Sequence, residues 1–143
     1  MLLGGGFLNG LRRPPVRILV VEDNPANQLL AETVLEREGF DVVVASSAVE
    51  AMRRITERSP DLILMDISLP GQDGLSLTRD LKSDPATSRI PIVALTAHAM
   101  VGDREEALAA GCLGHITKPI DVDTFVGEVR AFLPDPAKER KGA

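Results

Sequence analysis

Three short segments are almost wholly apolar: RILVV (Arg17–Val21), LILMD (Leu62–Asp66) and IVALT (Ile92–Thr96). A strand with one wet face alternates apolar and polar residues. A run without alternation must be covered on both faces, which is the situation of a parallel sheet sandwiched between helices. DVVVA (Asp41–Ala45) reads as a fourth strand, and LGHIT (Leu113–Thr117) as a short edge strand.

The segments between these runs carry helix punctuation. Asn24-Pro25 offers an N-cap and a first-turn proline, and Gly39 closes that helix, with Leu30, Val34 and Leu35 on its apolar face. Ser47-x-x-Glu50 has the spacing of a capping box, and the helix it opens stops near Ser59-Pro60. A third helix is predicted from about Gly74 to Ser83 and a fourth from about Met100 to Ala110, ending at Gly111. The last is predicted to start at Asp121, to bury Phe125, Val126, Val129 and Phe132, and to end before Pro134. Five strand–helix pairs make an α/β class, a single-domain (βα)5 doubly wound parallel sheet with right-handed crossovers. Periodicity leaves the strand order open.

A chain of 143 residues suits one domain. The expected organisation is a flexible tail over 1–15, a domain over 16–133 and a second tail over 134–143. A signal peptide carries its positive charge ahead of a continuous apolar stretch; here Arg12 and Arg13 follow the stretch and glycines break it. No run approaches the roughly 20 apolar residues of a membrane span. The net charge of −5 argues against nucleic acid as a partner. The lone cysteine, Cys112, cannot form an internal disulfide, so a reducing, cytoplasmic compartment is expected.

In open α/β sheets the chemistry gathers at the carboxyl ends of the strands. Here, counting the five strands in chain order, the first ends in Glu22-Asp23, the third in Asp66, the fourth in Thr96-Ala97, and the fifth runs into Lys118-Pro119. Taken singly, Asp23 could be a helix cap, Asp66 a turn residue and Lys118 a solvated lysine. Jointly they place three carboxylates, a hydroxyl and an ammonium on one rim. Such close carboxylates repel unless a cation sits among them, and hard oxygen ligands suit Mg²⁺. An aspartate in such a set can act as a nucleophile toward phosphorus, with a hydroxyl and a lysine to take phosphoryl oxygens.

VEDN (Val21–Asn24), MDISLPGQDG (Met65–Gly74), LTA (Leu95–Ala97) and TKP (Thr117–Pro119) resemble, in order and spacing, the receiver domains of two-component response regulators. The resemblance spans about Val16 to Leu133 and implies a flavodoxin-like strand order 2-1-3-4-5. It implies that Asp66 is the phosphoacceptor. Asp23, Asp66 and the backbone carbonyl of Ser68 would ligate Mg²⁺, and Glu22 would hold a metal-bound water. Thr96 and Lys118 would take phosphoryl oxygens, small Ala97 would leave access, and the Lys118–Pro119 bond would be cis. Thr96 and the residue at His115 would form the switch. The implied partners are a histidine kinase or histidine phosphotransfer protein, and an effector docking on the fourth helix, last strand and last helix. The protein would be a signalling phosphoacceptor that catalyses only its own phosphorylation and dephosphorylation. Ten residues follow Leu133, so output is expected to pass through a partner protein. VEDNPANQ also resembles receivers attached to hybrid kinases.

Two residues depart from the family pattern. The switch position carries His115 where Tyr or Phe is usual, and position 72, often apolar, is Gln72. An imidazole is smaller than a phenol and titrates near pH 6.5, so a weaker, pH-sensitive switch is expected. His98 is placed to lie over the phosphoryl group or to sit exposed in a loop. Three rivals are disfavoured. A haloacid-dehalogenase-type phosphatase needs a second aspartate where Ser68 stands. A flavodoxin-type FMN carrier would find Glu22-Asp23 repelling its phosphate. A docking module that no longer takes phosphate would not need the Asp66–Thr96–Lys118 set.

Overall fold

The computed structural model describes residues 14–69, 71–97 and 101–134. Five strands, β1 (Arg17–Val21), β2 (Asp41–Ala45), β3 (Leu62–Asp66), β4 (Ile92–Thr96) and β5 (Gly114–Thr117), alternate with five helices. These are α1 (Pro25–Arg37), α2 (Ala48–Glu57), α3 (Gly74–Ser83), α4 (Val101–Ala110) and α5 (Phe125–Ala131). All strand pairs are parallel, and the sheet order is β2-β1-β3-β4-β5.

The apolar runs are buried on both faces, as their lack of alternation demands. Ile18, Val20, Leu62, Leu64, Val93 and Leu95 pack with α1 and α5 through Ala31, Val34, Leu35, Phe125 and Val129. The intervening Leu19, Val21, Ile63, Met65, Ile92 and Ala94 face α2, α3 and α4. The two-residue period of a strand thus divides one sequence between two cores. Val16, Phe40, Phe132 and Leu133 pack at the margin of the first core.

The predicted punctuation is largely realised. The Asn24 side chain accepts from the N–H groups of Ala26 and Asn27 at the start of α1, and Gly39 takes a positive φ of 91° at its end. The capping box is redirected. Ser47 Oγ accepts from Glu50 N at 3.1 Å, but Glu50 Oε1 accepts from Ser46 N at 2.6 Å. The last helix starts later than expected. Asp121 nucleates a turn, accepting from Asp123 N, Thr124 N and Phe125 N, and α5 begins at Phe125. Of the expected tails, 1–13 and 135–143 lie outside the described residues, as do His98 and Met100.

Candidate functional site

Register builds the rim. Val21 pairs with Met65, so Glu22 and Asp66 leave β1 and β3 at the same level; Thr96 pairs with Thr117, one residue before Lys118. The Lys118 N–H donates to Thr96 O at 2.7 Å, which ties the lysine to the end of β4.

Glu22 and Asp66 are only 1% and 2% exposed, and Thr96 is buried beside them. Lys118 Nζ donates to Glu22 Oε1 and to Asp66 Oδ2, both at 3.1 Å. The other oxygens of the acids are also engaged. Asp66 Oδ1 accepts from Ser68 N at 2.8 Å, and Glu22 Oε2 accepts from Asn24 N at 3.1 Å. Burial pushes the Glu22 carboxyl above its ordinary range. Nearby Asp66 adds to the rise, and the Asn24 N–H and Lys118 do not cancel it. Burial alone would lower the Lys118 ammonium, but the two carboxylates outweigh it and hold it above its ordinary range.

Exposed Asp23 completes an acidic set: one oxygen from each of Glu22, Asp23 and Asp66 lies within 4.8 Å of the others. Mg²⁺ binds oxygens at about 2.0–2.1 Å in an octahedron, which separates neighbouring ligands by roughly 3 Å and opposite ones by roughly 4 Å. The donor chemistry and spacing therefore suit that cation, with the mouth open on the Asp23 side. Ser68 and Ala97 are exposed at the same rim.

Sequence reasoning passed over two residues that shape this site. A Cβ on Gly74 would stand 2.1 Å from Asp66 O and 2.8 Å from Ile67 Cα, so only glycine lets α3 start this close to the acid. Gln28 donates from Nε2 to the main-chain oxygen of Glu22 and to Ser46 Oγ. Both residues sit inside quoted motifs, but long-range approach leaves no mark on local spacing. Gln72, unusual for its position, turns its amide onto Asp80 Oδ2 at 2.8 Å and Ser76 Oγ at 3.3 Å, both on α3. His115 is half-buried on β5, opposite Ala94. The Lys118–Pro119 bond is cis. A cavity of about 1220 Å³ opens at the other end of the sheet, lined by Arg17, Phe40, Arg89 and Arg130 among others. Size does not locate the chemistry here, because the converging acids are all on the opposite rim.

A 2-1-3-4-5 parallel sheet that gathers three acids, a threonine and a lysine at its carboxyl edge defines the class as a doubly wound, flavodoxin-like α/β domain with its site at the strand ends. The chain belongs to the response regulator receiver domain family, whose model matches residues 18–130, and is thus a receiver-domain response regulator of two-component signalling. It is 40% identical over 121 residues to the polar-differentiation response regulator DivK of Brucella anthropi, covering 85% of this chain and 98% of that relative. The receiver domain of a sensor histidine kinase from Pseudomonas aeruginosa is 37% identical, with a TM-score of 0.74 over 82% of this chain and 97% of that one. Its structure has a magnesium ion coordinated in the active site cleft. The chemotaxis protein CheY4 of Vibrio cholerae, at 22% identity and a TM-score of 0.79 over 83% of this chain and 99% of that one, shares the fold.

Among the described residues, no helix is long and apolar enough to cross a membrane.

Proposed function

We propose that Asp66 accepts a phosphoryl group from a phosphohistidine on a kinase or phosphotransfer protein, and that the modified domain signals by binding other proteins. The observation that carries this reading is the buried Asp66 carboxylate held 3.1 Å from Lys118 Nζ at the mouth of the acidic set. An Asp66 oxygen attacks phosphorus as the P–N bond breaks, and the electron pair leaves with the donor's imidazole. Lys118 then moves from the carboxylate to a phosphoryl oxygen, and the Thr96 hydroxyl donates to another. Asp23, Asp66 and the carbonyl of Ser68 would hold Mg²⁺, with Glu22 on a bound water. When bound, the ion offsets the charge of the acids and of the transferring group. Ala97 keeps the approach to Asp66 open. The Lys118–Asp66 pair must exchange partners on modification, and that exchange is what the rest of the molecule can sense. Thr96 and His115 serve as the switch pair, and α4, β5 and α5 form the surface offered to an effector. Turnover of small phosphoesters is not favoured, since Ser68 stands where a phosphatase of this chemistry carries its general acid.

Acetyl phosphate tests the acceptor, with acetate as the leaving group. With MgCl₂, intact mass spectrometry should register one added phosphoryl group. Labelling that persists in Asp66→Asn, or that proceeds fully in EDTA, refutes the assignment.

A further inference from the structure

We infer that Gln28 is a positioning residue for the cation site, acting on Asp23 through the peptide that joins it to Glu22. The inference rests on the proposed Mg²⁺ role of Asp23. Glu22 is fixed at nearly every polar atom. Its N–H donates to Ala45 O at 2.9 Å, its carboxylate accepts from Asn24 N and Lys118, and its main-chain oxygen accepts from Gln28 Nε2. That oxygen shares one rigid plane with the N–H of Asp23. Holding it sets the direction in which Asp23 leaves the strand.

Asp23 needs such help because its side chain is exposed, and its carboxylate accepts no hydrogen bond among the described residues. A ligand on a free backbone would lose conformational freedom each time it met the ion. Gln28 is itself well anchored. Its N–H donates to Asn24 O at 2.9 Å in the first turn of α1, and the second Nε2 hydrogen reaches Ser46 Oγ at 2.9 Å. Ser46 in turn donates its N–H to Glu50 on α2. The chain Glu50–Ser46–Gln28–Glu22 thus braces the site against the start of a second helix. A main-chain oxygen can only accept, so only a donor works at this position. A carboxylate of the same shape would repel it.

The test uses MgCl₂ titrated calorimetrically into the metal-free full chain, beside amide hydrogen exchange of that metal-free protein. Gln28→Met keeps the shape and loses the donors; Gln28→Glu keeps the shape and adds a negative charge near the cation. Val34→Ala, on the buried face of α1, supplies a comparable loss of stability without touching the network. Both Gln28 variants should raise the Mg²⁺ dissociation constant about 10-fold, as loss of a residue bracing a ligand typically does. Both should speed exchange at the Glu22 and Asn24 amides, which donate to Ala45 O and to the Glu22 carboxylate, while Val34→Ala leaves affinity and exchange at those amides at wild-type values. Tighter binding by Gln28→Glu would mean that charge alone governs the site, and equal weakening by Val34→Ala would mean general loosening; either overturns the inference. Failure of the wild type to bind Mg²⁺ overturns the cation reading. Wild-type exchange at Glu22 and Asn24 in metal-free Gln28→Met overturns the positioning role, whatever the metal result.

Discussion

Replacing Gly74 by alanine should damage the acceptor site more than alanine at any other glycine among the described residues. The added Cβ would lie 2.1 Å from Asp66 O, whereas ordinary contact begins at 3.4 Å. Relief therefore needs a separation of 3.4 − 2.1 = 1.3 Å between α3 and the end of β3. The obstacle is backbone, also met at Ile67 Cα, so no side-chain rotation absorbs it. Overpacking of this kind costs about 1–3 kcal/mol. Displacement of a reacting group by about 1 Å can cost about 100-fold in rate. Gly127, in the first turn of α5, is the internal control. A methyl group added there would meet nothing within 4 Å, and alanine should stabilise by about 0.5–1 kcal/mol through helix propensity. Urea unfolding and the initial rate of phosphoryl incorporation from acetyl phosphate read the two effects. The expected pattern is opposite in sign for stability, with the rate loss confined to Gly74→Ala. A Gly74→Ala protein with wild-type rate and stability would refute the claim that this approach places Asp66.

Lys118→Met in EDTA should lower stability by about 1–3 kcal/mol at pH 7, because two buried carboxylates lose their cation. Glu22 has a raised folded-state pKa, so its contribution is full below its ordinary value of 4.5 and fades as pH rises through the raised one. The deficit should therefore shrink between pH 7 and pH 5 in urea titrations, and a deficit that grows on acidification would contradict this. In the wild type, the Lys118 contribution has the same sign in a far more alkaline window: its charge is intact below 10.5 and is lost only as pH rises through its raised value. Saturating MgCl₂ should raise the wild-type melting temperature, by an amount equivalent to about 2.7 kcal/mol at 100 times Kd. Asp23→Asn should lose most of that gain. Cys112 is buried, and burial pushes its thiol above the ordinary range. Iodoacetamide at pH 8 should leave it unmodified until urea is added, so rapid native alkylation would count against this. Beryllofluoride should change hydrogen exchange mainly over residues 101–110 and 115–132, with a larger change in His115→Tyr. Changes confined to residues 26–51 would point to another surface.

Much of this was legible in the linear chain, because its signals are local. Unalternating runs such as LILMD require cover on both faces, and Asn24-Pro25, Gly39 and Gly111 mark helix ends by their own backbone chemistry. The acids, threonine and lysine could be named as a rim because strand ends are predictable from the same runs. Other features depended on neighbours. Strand order is not encoded by a two-residue period; it is fixed by the pairing of the folded sheet. Asp121 has the composition of a helix start, yet it organises a preceding turn, and α5 waits for Phe125 to reach the core. Gly74 and Gln28 read as a helix opener and an ordinary polar residue. Their importance comes from how close α3 comes to Asp66 and which carbonyl the Gln28 amide meets. The Lys118–Glu22 pair joins residues 96 positions apart. Side-chain periodicity is set by each residue's own backbone geometry and can be read in sequence. Approach between separate segments is set by how the whole sheet and its helices pack, so it exists only in the folded chain.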